Sequence, residues 1–127
     1  MNSCVWDASA LLALINEESG CDKLEQYLPG ACMSSVNLSE VVSVLLTMSM
    51  NPLEIGSLMS NLIPNLIPFD EHHAYRAASL RSKTKNKGLS LGDRACLALG
   101  ETKKIPVITA DKVWKELDLG IKIIVIR

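Results

Sequence analysis

The sequence predicts a single α/β domain over residues 1–127, with a central parallel sheet flanked by helices on both sides. Three observations predict it. Short apolar runs of strand composition alternate with longer segments of helical composition along the chain. No linker, repeat or low-complexity stretch breaks the alternation. The length of 127 residues suits one hydrophobic core and leaves little room for a second. In such layered folds, sites form at the carboxyl ends of strands, close to helix N-termini.

Ser3 to Trp6 is the first strand; it ends at Asp7, and Ala8 to Glu17 has helical composition. A second helix is expected from Gly20 to Leu28, stopped by Pro29-Gly30. Ala31 to Ser34 is a short strand. From Val36 to Met50, apolar residues at 38, 41, 42, 45, 46 and 48 have the spacing of a well-buried helix. Asn51-Pro52 supplies a cap and a proline at the first helical position, opening a helix to about Ile63. Leu66 to Phe69 is a weak strand whose proline argues for an edge or a terminus. Asp70 can cap a helix from Glu71 to about Lys85. Ser90-Leu-Gly-Asp93 has capping-box spacing, and Leu91, Ala95, Ala98 and Leu99 share one face of the helix that follows. Pro106 to Thr109 is a strand, Asp111 to Leu117 a helical turn or two, and Lys122 to Ile126 a final strand.

With 48% hydrophobic and 21% charged residues, the chain is neither a disordered tail nor a collagen-like or disulfide-stapled miniprotein. The net charge of −1 hides a strong asymmetry. Residues 1–71 hold nine acids and one base, Lys23, a net of −8; residues 72–127 hold twelve bases and five acids, a net of +7. Such polarity either neutralises itself in the fold or presents a basic region to an anionic partner. Cys4, Cys21, Cys32 and Cys96 form no Cys-x-x-Cys pair and sit among apolar residues, as expected of free thiols in a reducing, cytoplasmic compartment. The adjacent His72 and His73 read as surface residues. The longest apolar run, Ala10 to Ile15, is far too short to span a membrane, and the N-terminus lacks the positive start of a signal peptide.

Four acids stand out by position. Asp7 and Asp111 each follow a strand where a helical segment begins, and Glu40 and Asp93 lie in the first turns of their helices as read from the sequence. Each has a plain alternative, because a carboxylate there can simply cap free N–H groups, and Asn37-Leu-Ser-Glu40 has the spacing of a capping box. Asp7 is harder to explain that way. Its neighbours Trp6 and Ala8 to Ile15 must be largely buried, and the first 71 residues offer only one base to pair with it. Carboxylates gathered at one place repel each other and have raised pKa values unless a cation neutralises them; all-oxygen ligation selects Mg²⁺ or Mn²⁺ over zinc. Such a site suits phosphodiester hydrolysis. Arg76, Arg81, Lys83, Lys85 and Lys87 lie in a window, residues 72–92, that has no Asp or Glu and leads into the helix bearing Asp93. Cations beside an acidic site can hold a polyanion backbone, though the same pattern also describes an ordinary solvated helix end.

Four blocks of the chain resemble the PIN-domain nucleases, and within them the VapC-like toxins of type II toxin–antitoxin pairs. They are Val5-Trp-Asp7-Ala-Ser-Ala-Leu-Leu-Ala-Leu14, Ser34-Ser-Val-Asn-Leu-Ser-Glu40-Val41, Leu89-Ser-Leu-Gly-Asp93-Arg-Ala-Cys-Leu-Ala-Leu99 and Val107-Ile-Thr-Ala-Asp111-Lys-Val-Trp114. The resemblance implies a PIN-like three-layer α/β/α fold with sheet order 3-2-1-4-5. It implies an endoribonuclease dependent on one or two Mg²⁺ or Mn²⁺ ions, with Asp7, Glu40, Asp93 and Asp111 as catalytic and metal-binding residues. Ser9 and Thr109 match supporting positions, and Arg94 joins the basic residues as an RNA contact. Relatives dimerise and are blocked by a small cognate antitoxin that lies across the groove, so an antitoxin and a homodimer are the implied protein partners. Met48, Met50 and Met59, with Leu45, Leu46, Leu53, Ile55 and Leu58, make the central helical pair unusually apolar, as core or as an adaptable dimer or antitoxin surface.

Two other classes compete with this one. A catalytically silent RNA-binding or protein-interaction module on the same fold would bind RNA in a salt-dependent way without cutting it. A phosphatase or phospho-receiver fits less well, because Asp7-Ala-Ser9 lacks the second Asp of an Asp-x-Asp motif and the start lacks paired acids.

Overall fold

The computed structural model describes residues 3–127. Five strands, β1 (Cys4–Trp6), β2 (Ala31–Ser34), β3 (Asn65–Ile67), β4 (Val107–Thr109) and β5 (Ile123–Val125), form one sheet. Its order is β3-β2-β1-β4-β5, and every neighbouring pair is parallel. Six α-helices join them: α1 (Ala8–Ile15), α2 (Ser35–Thr47), α3 (Pro52–Leu62), α4 (Glu71–Ser79), α5 (Arg81–Thr84) and α6 (Leu91–Lys103).

Side chains on the short strands alternate between two cores, which is why each strand reads as unbroken apolar sequence. Trp6, Met33 and Ile108 face one way and pack with Leu11 of α1, Leu45 of α2 and Ile55 of α3. Val5, Cys32 and Val107 face the other way and pack with Ala77 of α4 and Leu97 and Leu99 of α6. Helix α6 is buried continuously from Ala95 to Gly100, between the sheet and α4. Gly100 permits the close approach: a Cβ there would meet Val107 Cγ2 at 2.4 Å.

The α/β/α layering, the Asn51 cap with Pro52 behind it and the Ser90–Asp93 capping box are as the sequence predicts; the structure adds a second capping box, Asn51 with Glu54. Several local readings are corrected. The segment after Gly20 is not a helix but two 3₁₀ turns, Cys21–Lys23 and Glu25–Gly30, with Pro29 inside the second. The helix expected over residues 71–85 stops at Ser79 and resumes at Arg81. Arg94 donates to the Ala77 carbonyl at 3.0 Å, the acceptor that the amide of residue 81 needs to continue an α-helix. Strand β3 is Asn65–Ile67, displaced from the expected Leu66 to Phe69, but it does occupy the sheet edge. Helix α2 is not well buried: only Asn37, Val41 and Leu45 are, while Leu46 and Met48 are exposed. His73 is not a surface residue. It is 7% exposed, with its ring tilted against Phe69.

Candidate active site

Connections from β1 lead through β2 to β3 on one side, and β4 and β5 lie on the other. The chain therefore reverses direction of travel between β1 and β4, and at such a switch point sheets of this kind form sites at the carboxyl ends of the strands. Asp7 stands at the end of β1, and Thr109 ends β4 beside it.

Asp7 is 3% exposed and has no ion pair among the described residues. It is held by neutral donors. Oδ1 accepts the Ala10 amide at 2.8 Å and so caps α1, while Oδ2 accepts the Thr109 hydroxyl at 2.5 Å. The Ser9 hydroxyl lies 2.8 and 2.9 Å from the two carboxylate oxygens and accepts the Ala110 amide at 3.0 Å. Burial pushes the Asp7 pKa up to about 6, against the lowering effect of these hydrogen bonds, and the Asp93 charge raises it further.

The other acids share one arrangement, in which a single oxygen is tied to the protein. Asp93 Oδ2 accepts the Ser90 amide at 3.0 Å, completing the capping box of α6. Asp111 Oδ1 accepts the Val113 amide at 3.0 Å, and the Asp111 amide itself donates to Thr109 Oγ1 at 3.0 Å. Thr109 thus connects Asp7 to the backbone of Asp111. Glu40 Oε1 accepts the Asn37 side-chain amide at 2.8 Å. Among the described residues, no protein donor reaches the second oxygen of Glu40, Asp93 or Asp111. The thiol of Cys96, on α6, is buried in the core, its pKa pushed up by burial and by the charges of Asp7, Asp93 and Glu40.

Glu40 lies in the second turn of α2, not the first: Ser34 caps the helix, and Glu40 is its sixth residue. The Asn37-to-Glu40 spacing is therefore no capping box. Asn37 sits inside the helix, and its amide reaches across to α6 as well, donating to the Gly92 carbonyl at 3.0 Å. Sequence reading missed Asn37 and Gly92; a buried polar residue three positions from an acid on an apolar helix was the signal.

The basic residues divide. Arg76 pairs with Glu101, near the opposite end of α6 from Asp93. Arg94 is partly buried against the C-terminal end of α4. Lys87 pairs with Glu116 at 3.2 Å. Arg81, Lys83 and Lys85 are exposed and make no ion pair among the described residues.

The candidate donors are carboxylate and hydroxyl oxygens, which suit a hard divalent ion. Among the described residues no three His, Cys, Asp or Glu side chains are grouped closely enough to hold a metal ion. A buried, uncompensated Asp7 with a second carboxylate nearby gives the cation an electrostatic reason to bind.

Fold and site together define an α/β protein with a buried carboxylate, Asp7, at the switch point of a five-stranded parallel sheet. The PIN domain family model matches residues 4–119, and the chain belongs to that family. Among solved structures, a toxin–antitoxin complex from Klebsiella pneumoniae is similar with a TM-score of 0.78 at 20% identity, covering 98% of each chain. A DNA-bound VapBC from Salmonella typhimurium is similar with a TM-score of 0.74 at 16% identity, covering 100% of each chain. The sarcin-ricin loop cleaving toxin VapC20 of Mycobacterium tuberculosis gives 0.73 at 15% identity, over 94% of this chain and 99% of that one. At these identities the likeness is one of fold. A search of curated proteins finds no match.

Proposed function

We propose that residues 1–127 form a single PIN domain acting as a Mg²⁺- or Mn²⁺-dependent endoribonuclease, the toxin of a toxin–antitoxin pair. The observation that carries this reading is Asp7: a carboxylate buried without a cation, coupled to Asp93, at the switch point of the sheet. Asp7, Glu40, Asp93 and Asp111 would hold one or two ions, with Ser9 and Thr109 orienting Asp7. A divalent ion supplies Lewis acidity there, making water acidic enough to attack phosphorus at neutral pH and offsetting charge on the phosphate oxygens. Arg81, Lys83 and Lys85, which no acid neutralises, are the best placed of the basic residues to hold the RNA backbone. Lys87, Arg76 and Arg94 would have to exchange or share their present partners to do so.

The known complexes of similar fold support an antitoxin as protein partner, and a homodimer is proposed on the family resemblance. The cytoplasm is the proposed compartment. Its support is four free cysteines; no described helix is long and apolar enough to cross a membrane.

A catalytically silent RNA-binding or interaction module is the second reading. The observation in its favour is that no three acids are grouped as a ready-made cage. Sequencing RNA 5′ ends after expression of wild type and Asp93→Asn separates the two. Defined new 5′ ends that vanish in the variant, and in vitro with a chelator, support the nuclease. Ends that persist in Asp93→Asn or survive chelation refute it, and RNA binding without any cleavage establishes the silent module.

A further inference from the structure

We propose that Asn37 and Gly92 are positioning residues that together fix the Glu40 carboxylate against the N-terminus of α6, beside Asp93. The inference rests on the metal-dependent reading of the acidic site and concerns how one arm of that site is set.

Three observations on different elements meet at Glu40. Asn37 is 1% exposed, and its side-chain amide donates to both Glu40 Oε1 at 2.8 Å and the Gly92 carbonyl at 3.0 Å. Both partners are acceptors, so the amide orientation is fixed: the NH₂ group must face them, and both its protons are used. Asn37 Oδ1 is left buried without a hydrogen-bond partner. A residue selected only to stabilise the α2–α6 contact would not leave a buried acceptor unsatisfied. The cost is intelligible if the NH₂ is needed where it is.

Gly92 completes the device from the other side. A Cβ at that position would lie 2.3 Å from Glu40 Oε2, 2.5 Å from Cδ and 2.5 Å from Oε1. The carboxylate therefore occupies the space a side chain would fill, lying on the bare backbone of the first turn of α6. Asn37 pulls on one oxygen, and the missing Cβ makes room for both. Glu40 Oε2 remains free of protein donors, at the helix end whose third residue is Asp93.

The two positions call for different substitutions. Asn37→Ala removes the donor but also leaves the Gly92 carbonyl unpaired, so it can weaken the fold. In Gly92→Ala the three atoms nearest the new methyl group all belong to the movable end of Glu40, and alanine is the better helix former. That variant is expected to fold at least as stably as wild type while displacing Glu40.

The test is a titration of metal-free full chain with Mn²⁺ alone, followed by electron paramagnetic resonance, for wild type, Gly92→Ala, Asn37→Ala, Glu40→Gln and the double variants with Glu40→Gln. Thermal unfolding of each is recorded in chelator. Loss of a residue that orients a ligand typically weakens metal binding about 10–100-fold. We expect Gly92→Ala and Asn37→Ala to weaken Mn²⁺ binding by at least tenfold, Gly92→Ala without loss of melting temperature. Neither should weaken it further once Glu40 is Gln. Wild-type affinity in Gly92→Ala, or effects that simply add to that of Glu40→Gln, overturns the positioning role and leaves the nuclease reading standing. Failure of wild type itself to bind Mn²⁺ overturns the nuclease reading, and the positioning role with it.

Discussion

Replacing Asp7 with Asn should stabilise the metal-free protein, and the gain should depend on pH in a defined way. Asp7 has a pKa of about 6 in the fold against an ordinary 3.8, chiefly because burial disfavours its charge. Below 3.8 it is protonated in both folded and unfolded chains and contributes nothing. As pH rises from 3.8 to 6, the unfolded chain ionises first, and the folded state loses stability relative to it. The loss is complete above about pH 6, where the interval between the two pKa values corresponds to about 3 kcal/mol. For a domain of this size that is about 10 °C in melting temperature. Asn keeps the acceptor for the Ala10 amide but presents an NH₂ to one of the Ser9 and Thr109 hydroxyls, which offsets part of the gain. The measurement is thermal and urea unfolding of wild type and Asp7→Asn in chelator at about pH 5 and pH 7.5. Other carboxylates titrate in both proteins and cancel in the difference. The variant's advantage should grow by about 1–1.5 kcal/mol between those pH values, and saturating Mn²⁺ should erase it by stabilising wild type alone. Parallel pH profiles would refute the reasoning, because they would mean that the hydrogen bonds from Ser9, Ala10 and Thr109 already compensate the buried charge.

Gly100→Ala should behave oppositely to Gly92→Ala, although both glycines lie in α6. The obstacle at Gly100 is Val107 Cγ2 at 2.4 Å and the Ile105 carbonyl oxygen at 3.3 Å, inside a packed core. Overpacking of that kind costs about 1–3 kcal/mol, against a helix-propensity gain of about 1; a higher urea midpoint than wild type would contradict it. Alanine at Arg81, Lys83 or Lys85 should weaken binding of single-stranded RNA to Asp93→Asn uniformly across sequences. Each should flatten the slope of log K against log salt by about 0.7, and unchanged slopes in all three would remove them from the RNA path.

The layered fold was legible because buried parallel strands and capped helices leave local signals, whereas the strand order followed only from the resemblance to PIN domains. Ser90 and Asp93, Asn51 and Pro52, and the apolar runs ending at Asp7 and Thr109 carry most of that information. What failed locally failed for tertiary reasons. The break in α4 falls where Arg94, seventeen residues away, donates to the Ala77 carbonyl, a contact that no local pattern announces. His73 carries a surface composition signal but lies against Phe69 where the chain leaves β3. The exposed apolar side of α2 and α3, with Leu53 87% exposed, cannot be told from a core face by periodicity, since both need residues three and four apart.

The site shows a different limit. From sequence alone, a carboxylate at a helix start reads as either a cap or a functional group, as though the two excluded each other. In the structure Asp93 and Asp111 cap, and on the proposed reading they serve the metal site as well. Each gives one oxygen to a backbone amide, of Ser90 and of Val113, and the other oxygen is left without a protein donor. The cap is what aims the free oxygen: a carboxylate anchored through one atom to a rigid helix end loses the rotational freedom it would otherwise have to give up on binding an ion. Asp7 goes further, spending both oxygens on Ala10, Ser9 and Thr109, and it is correspondingly the most buried of the four. Glu40 has no helix start to anchor it, since it lies in the second turn of α2. Its longer side chain needs a substitute for the backbone amide, and the Asn37 side chain over the bare backbone of Gly92 supplies one. Capping thus belongs to the construction of the site, and the one acid that cannot cap is the one for which α2 and α6 had to provide a dedicated pair of residues.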